Sequence, residues 1–215
     1  ITIGGTIGAG DNIKTVSLTG DSGVSLAGNI KTSNSADGNV TITGPVTLTG
    51  NVTIDADAAN TTVTLNSTAT VNSDSTARDF EIDTNGGKVT VDSVLGGSAP
   101  LNSLKINSDT TGAAEIDIAG IGNSTGPVYG VTGATAIGNS NTGKITLDGT
   151  VYTTGGTFDL ITDTGDKIVV SNASGATITT SDDDITFTGG NVKISEGVAS
   201  LTMTTGSGTA DGNIA

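Results

Sequence analysis

The chain contains no cysteine, no histidine and no tryptophan, and each absence removes a class of chemistry. Without cysteine there are no disulfides, no thiolate nucleophile and no thiolate zinc site. Without histidine the commonest general base near neutral pH is gone, together with the commonest transition-metal ligand. Aromatic residues make up 2% of the chain, and eight basic residues stand against 22 acidic ones, for a net charge of −14. An acidic surface of that size disfavours a phosphate-binding track and an anionic membrane face, so neither nucleic acid nor membrane insertion is expected. Its simplest role is to keep a β-rich chain soluble; a sharper one is attraction of Ca²⁺ or cationic polymers. No hydrophobic run approaches the length of a membrane span, and no basic-then-apolar targeting pattern is visible.

What the sequence has in abundance is one five-residue figure: apolar, polar, apolar, polar, then a small or turn-forming residue. It is written as Val16-Ser17-Leu18-Thr19-Gly20, Val40-Thr41-Ile42-Thr43-Gly44, Val46-Thr47-Leu48-Thr49-Gly50 and Val63-Thr64-Leu65-Asn66-Ser67. Later copies include Phe80-Glu81-Ile82-Asp83-Thr84, Val89-Thr90-Val91-Asp92-Ser93, Ile145-Thr146-Leu147-Asp148-Gly149 and Ile185-Thr186-Phe187-Thr188-Gly189. A period of two over four or five β-branched residues marks a strand with one buried face. With 33 glycines and no window of 3.6-residue periodicity, helix is not expected.

Strands this short cannot bury enough surface alone, so the copies must share one core. Their spacing is uneven: six residues separate Val40, Val46 and Val52, seven separate Ile178, Ile185 and Val192, and nine separate Phe80 and Val89. Corners of variable length suit a solenoid with three short strands per coil. Tight connections such as Gly44-Pro45 and Gly50-Asn51 leave no place for the two-residue turns that reverse a hairpin. The fold class expected is therefore all-β, a single-stranded parallel β-helix (β-solenoid). At about 20 to 24 residues per coil it would have about nine to ten coils and be roughly 45 Å long.

The core is expected to be narrow and aliphatic. Its inward residues are Val40, Ile42, Val46, Leu48, Val52, Ile54, Val63, Leu65, Val89, Val91, Leu104, Ile106, Ile145, Leu147, Ile185, Phe187, Val192 and Ile194. Residues 1–215 are read as one continuous solenoid, with an irregular corner or loop insertion at 121–143, where the figure breaks down. Ile1-Thr2-Ile3-Gly4-Gly5 is already a strand figure and Asp211-Gly212-Asn213-Ile214-Ala215 leads into another, so a segment of a larger repetitive protein is expected. Its open ends would be covered by neighbouring repeats of the same chain or by end-to-end self-association.

The run Gly38 to Ile54, the stretch Leu95-Gly96-Gly97 to Leu101-Asn102-Ser103-Leu104, and the stretch Val131 to Thr150 resemble giant bacterial surface proteins with filamentous-haemagglutinin-type repeats. The resemblance covers essentially the whole chain. It implies a right-handed β-helix serving as an extracellular or cell-surface shaft, with a cell-surface glycan or protein as partner. The family's secretion and receptor-binding regions have no counterpart among these residues.

A rival reading is a carbohydrate-active β-helix enzyme, a polysaccharide lyase or glycosidase. That chemistry needs convergent carboxylates with basic and aromatic helpers, and the chain has one Arg, Arg78, and two Tyr, Tyr129 and Tyr152. No catalytic residue and no cofactor is assigned. A third reading is a glycan- or calcium-binding module. Its metal candidates are Asp182, Asp183 and Asp184, the densest acidic cluster, although neither an EF-hand loop nor a calcium-binding nonapeptide is present. Its ligand candidates are Tyr129 and Tyr152. Finally, Thr41-Ile42-Thr43, Thr47-Leu48-Thr49, Thr186-Phe187-Thr188 and Thr202-Met203-Thr204 resemble the threonine pairs of ice-binding β-solenoids. The first two are six residues apart and are expected on different faces of one coil, which leaves exposed Thr as a plain strand former.

Overall fold

The computed structural model describes residues 1–9, 13–32, 38–56, 60–108, 113–125, 129–165, 168–181, 183–195, 197, 200–206 and 212–215. Every strand pairs in parallel with a strand one coil away, and the described residues contain no helix. The chain visits three sheets in rotation. Sheet I begins with Thr2–Ile3, Val24–Leu26, Val46–Leu48 and Val71–Ser73. It continues through the single parallel bridges Val71↔Leu95, Leu95↔Ile121 and Ile121↔Tyr152 into Val151–Thr154, Ala176–Thr180 and Leu201–Thr205. Among the described residues sheet II has seven strands, Ile30–Lys31, Val52–Ala56, Asp79–Thr84, Ser103–Ile106, Thr135–Ile137, Phe158–Ile161 and Ile185–Thr188. Sheet III has eight described strands, Val16–Thr19, Val40–Thr43, Thr62–Leu65, Lys88–Val91, Ala113–Ile118, Thr142–Leu147, Ile168–Val170 and Val192–Ile194.

This is the expected β-solenoid, with fewer coils than spacing suggested. In sheet III the step from one coil to the next runs from 23 residues (Val40 to Val63) to 29 (Ile116 to Ile145). Eight stacked strands make about seven turns, not nine or ten, and a rod roughly 34 Å long at the ordinary strand spacing. The difference lies in the corners, which hold more residues than the tightest examples indicate.

Alternation decides the core. Of the residues expected inward, all are buried except Phe187, which is half-buried, and Val192 and Ile194, which are 42% and 47% exposed. The last two correct the expected list, and the cause is position. Val192 pairs with Ile168 and Ile194 with Val170, both fully buried, so all four point the same way. No described strand pairs on the far side of Val192–Ile194, so among the described residues no further rung covers the inward face there. Each well-covered Val, Ile or Leu contributes about 1.5–3 kcal/mol of transfer free energy.

The core is also less purely aliphatic than expected. Phe80, Phe158 and Tyr152 are its largest buried side chains, and the last two meet edge to face with ring centroids 6.4 Å apart.

Between sheets II and III a column of small polar residues replaces the aliphatic ones. Thr32 and Thr61 are buried, and each hydroxyl donates at 2.6 Å across its own corner, to the carbonyls of Gly38 and Ala56. Thr84 and Asn107 exchange bonds between coils: the Thr84 N–H donates to Asn107 Oδ1 at 2.7 Å and Asn107 Nδ2 donates to Thr84 Oγ1 at 2.8 Å. Asn107 holds φ +48°, a turn conformation that Asn tolerates. Chains turning a corner leave backbone groups unpaired, and these side chains satisfy them.

Candidate functional site

The sequence candidates do not converge on one place. Asp182 lies outside the described residues. Asp183 is half-buried, and its backbone carbonyl accepts the Thr180 hydroxyl. Asp184 is exposed, and its Oδ1 accepts from the backbone N–H of Asn213 at 2.7 Å and from Asn213 Nδ2 at 3.2 Å. Its carboxylate therefore holds the Asn213–Ile214 segment, which bridges Ile185 one coil on, a structural use. Among the described residues no group of three or more Asp or Glu could hold a metal ion.

The two tyrosines part company. Tyr152 is fully buried, so the ring proposed for ligand contact is in the core and presents no surface. Sequence reading missed this because Val151-Tyr152-Thr153 puts the aromatic, not the valine, in the inward register: Tyr152 pairs with the buried Ile178. Tyr129 is half-buried beside Gly130. The Gly130 N–H donates to Thr153 Oγ1 at 3.0 Å, and its carbonyl accepts from Leu101 N–H at 2.9 Å.

That stretch lies within 121–143, where the sequence figure breaks down. It keeps coil register nonetheless. Ile121 bridges Leu95 and Tyr152, Val131 bridges Leu101 and Thr154, and Thr135–Ile137 pairs with Ser103–Ile106 and Phe158–Ile161. The register survives because backbones rather than side chains meet here. A Cβ on Gly96 would overlap the carbonyl of Gly130, and one on Gly130 would overlap the N–H of Gly122. Beside this contact is a shallow cavity of about 130 Å³, lined by Val94, Gly120, Gly122, Asn123, Thr150 and Val151 among others. It contains no charged group, and Asn123 is engaged, donating to the Gly97 carbonyl one coil away and accepting from the Thr125 N–H.

Charge concentrates on the outward side of sheet III. Lys88, Glu115 and Lys144 stack in register. Lys88 Nζ lies 2.6 Å from Asp117 Oδ2 and 3.6 Å from Glu115 Oε2, and Lys144 Nζ lies 3.2 Å from Glu115 Oε1. The bond to Asp117 raises the Lys88 ammonium above its ordinary value. Exposed pairs of this kind are worth at most about 1 kcal/mol each. One rung further on, Asp148 is an exposed corner residue whose carboxyl is crowded from below. Partial desolvation first, and repulsion from Asp117 and Asp92 second, push it above the usual carboxylate range.

On sheet II, Asp79 organises a corner of three coils. Its carboxylate accepts from Ser103 Oγ and Asn102 Nδ2, both at 2.6 Å, and from Asn51 Nδ2 at 2.9 Å. The Ser103 and Asn102 bonds hold its carboxyl below the usual range, with Lys105 adding a smaller attraction. Arg78 is fixed by two bonds to Asp74, at 3.1 and 2.9 Å. The Asp79 bonds hold three coils together, whereas the Arg78–Asp74 pair, four residues apart, staples a single corner.

Comparison with protein-family models, with curated proteins and with solved structures gave no match.

Proposed function

We propose that this chain is a structural and adhesive shaft module of a large secreted or cell-surface protein of the filamentous-haemagglutinin type. The observation that supports it most is the unbroken parallel register of sheet III from Val16 to Ile194. Eight strands joined only to their neighbours make a stiff column whose length grows with repeat number. Function in such a module comes from rigid extension and from a repeated surface presented to cells, matrix or another surface. The Val192–Ile194 edge, with its exposed apolar side chains, is suited to a further coil, supplied by neighbouring repeats or by the end of a second copy.

Beads coated with the chain, offered to cultured cells and to matrix-coated surfaces, test the reading. Attachment above that of beads carrying a Val63→Asp variant, whose core cannot form, is the expected result. No attachment, together with turnover of acidic polysaccharides by the soluble chain, would replace the shaft by an enzyme.

A further inference from the structure

Threonine pairs that look scattered along the sequence are brought into an array by the fold. Thr41-Ile42-Thr43 and Thr47-Leu48-Thr49 do lie on different sheets, III and I, as their six-residue spacing implies. The copies that meet are a full coil apart. On the outward side of sheet III, Ser17 pairs with Thr41, Thr41 with Thr64, and Thr64 with Thr90. A second column runs beside it: Thr19 pairs with Thr43, and Asn66 and Asp92 take the next two rungs. Between the columns, the inward Ile42, Leu65 and Val91 are locked in the core.

The two columns differ in what they leave free. Asn66 Nδ2 donates to Thr43 Oγ1 at 2.7 Å, which fixes the second column. The hydroxyls of Ser17, Thr41, Thr64 and Thr90 have no hydrogen-bond partner among the described protein groups. They therefore stand in register, one to a rung, with bonding capacity left for water. Successive hydroxyls in a column are about 4.7–4.9 Å apart, and the two columns are about 6.5–7 Å apart along the strands. Threonine is stiff at χ1, so the positions of these hydroxyls are largely set before anything binds.

We infer that this face binds ice. A small soluble ligand needs a concave site, and a sugar ring needs an aromatic platform; this face has neither. A cation needs a concentration of charge, and the first three rungs (Ser17/Thr19, Thr41/Thr43 and Thr64/Asn66) carry none. What matches a row of free hydroxyls repeated once per rung, with Thr19 and Thr43 beside its first two rungs, is another periodic array, and oxygen rows on planes of hexagonal ice repeat at closely similar distances. The free hydroxyls anchor water, and the methyl groups between them hold the intervening waters in an ordered layer. Because the hydroxyl positions are largely set, little ordering entropy opposes binding. The array stops where the Lys88–Asp117 pair and the Asp92 carboxylate break its polarity pattern. This activity does not depend on the shaft reading, since a shaft without it remains a shaft.

The test grows a hemisphere of ice slowly from a dilute solution of the fluorescently labelled chain and measures the fraction taken into the ice. The unmodified chain is expected to enter the ice and to shape its crystals. Thr64→Tyr, which puts a bulky ring in the middle of the row, should be excluded, whereas Thr186→Tyr on the outward side of sheet II should enter as the unmodified chain does. Thr64→Val keeps the shape and the methyl groups but removes one free hydroxyl, and should enter less; it serves if the tyrosine variant fails to fold, as judged by circular dichroism. Exclusion of the unmodified chain would overturn the proposal, as would uptake of folded Thr64→Tyr at the unmodified level.

Discussion

The Tyr152 hydroxyl donates to the Ile118 carbonyl at 2.7 Å and accepts the Gly149 N–H at 2.8 Å, tying a strand of sheet I to the end of a sheet III strand one coil earlier. The Ile118 carbonyl keeps a second donor, the Asp148 N–H, if the phenol is removed; the Gly149 N–H loses its partner. Tyr152→Phe should therefore cost about 1–3 kcal/mol, the penalty of one buried unpaired donor. Tyr152→Ala adds a cavity and should cost about 3–5 kcal/mol. Urea titrations of both variants check the order.

The same hydroxyl gives the fold an alkaline limit. Burial holds the phenol neutral well above its ordinary value of 10.0. A group raised in the folded state gives its full stability below the unfolded value and loses it as pH rises past that value. The melting temperature of the natural chain should fall between about pH 10 and 12, and that of Tyr152→Phe should fall less steeply over the same range.

Asp79 and Asp148 should act oppositely in acid. The bonds from Ser103 and Asn102 lower the Asp79 carboxyl, so its contribution is present above the unfolded value and lost as pH falls through and below about 4. Asp79→Asn should flatten that acid loss. Asp148 is raised by desolvation and by Asp117 and Asp92, so its ionised form weighs against the fold at neutral pH. Asp148→Asn should raise the melting temperature at pH 7, with the gain vanishing below about pH 4. Thermal scans of both variants from pH 2 to 8, a span of about 6 units around the carboxylate range, check the two signs.

Glycines divide by what surrounds them. Gly44 has φ +102°, and a Cβ there would overlap the carbonyl of Gly20 in the coil below. Gly44→Ala should cost about 1–3 kcal/mol from strain and displaced backbone. Gly4 has nothing near its Cβ position, and Gly4→Ala should fall within about 0.5 kcal/mol of the parent.

Period-two alternation carried the fold because a strand with one buried face can be written in only one way. It located the inward residues of most rungs from Val40 to Ile185, and the parallel stacking followed from corners too short to reverse. What it missed depended on contacts a coil away. Val71-Asn72-Ser73 is too short to stand out, yet Val46–Leu48 beneath it sets its register. The coil count failed because corners from 23-residue to 29-residue coils look alike in sequence. Tyr152 looked like a surface aromatic because its two partners, Ile118 and Gly149, are a backbone carbonyl and a backbone N–H. The hydroxyl column from Ser17 to Thr90 was hidden because neighbours in sequence belong to different sheets.

The exposed apolar edge makes a further distinction. Ile194 is 47% exposed and Val170, in register with it one coil earlier, is fully buried. Ile194→Asp should change the melting temperature little, and Val170→Asp should unfold the chain. If that edge seeks a second copy, the natural chain should sediment as a concentration-dependent series, and Ile194→Asp as a single species.

The central claim is that residues a coil apart in sequence are one rung apart in space, and spin-label distances test it most directly. The absence of native cysteine lets labels be placed at will. Ser17 and Thr146 occupy one column, five rungs apart, and Ser17 and Lys193 seven rungs apart. The distances predicted are about 24 Å and about 34 Å, rising in proportion to rung number. Broad distributions, or a second distance no longer than the first, would contradict a single stacked column.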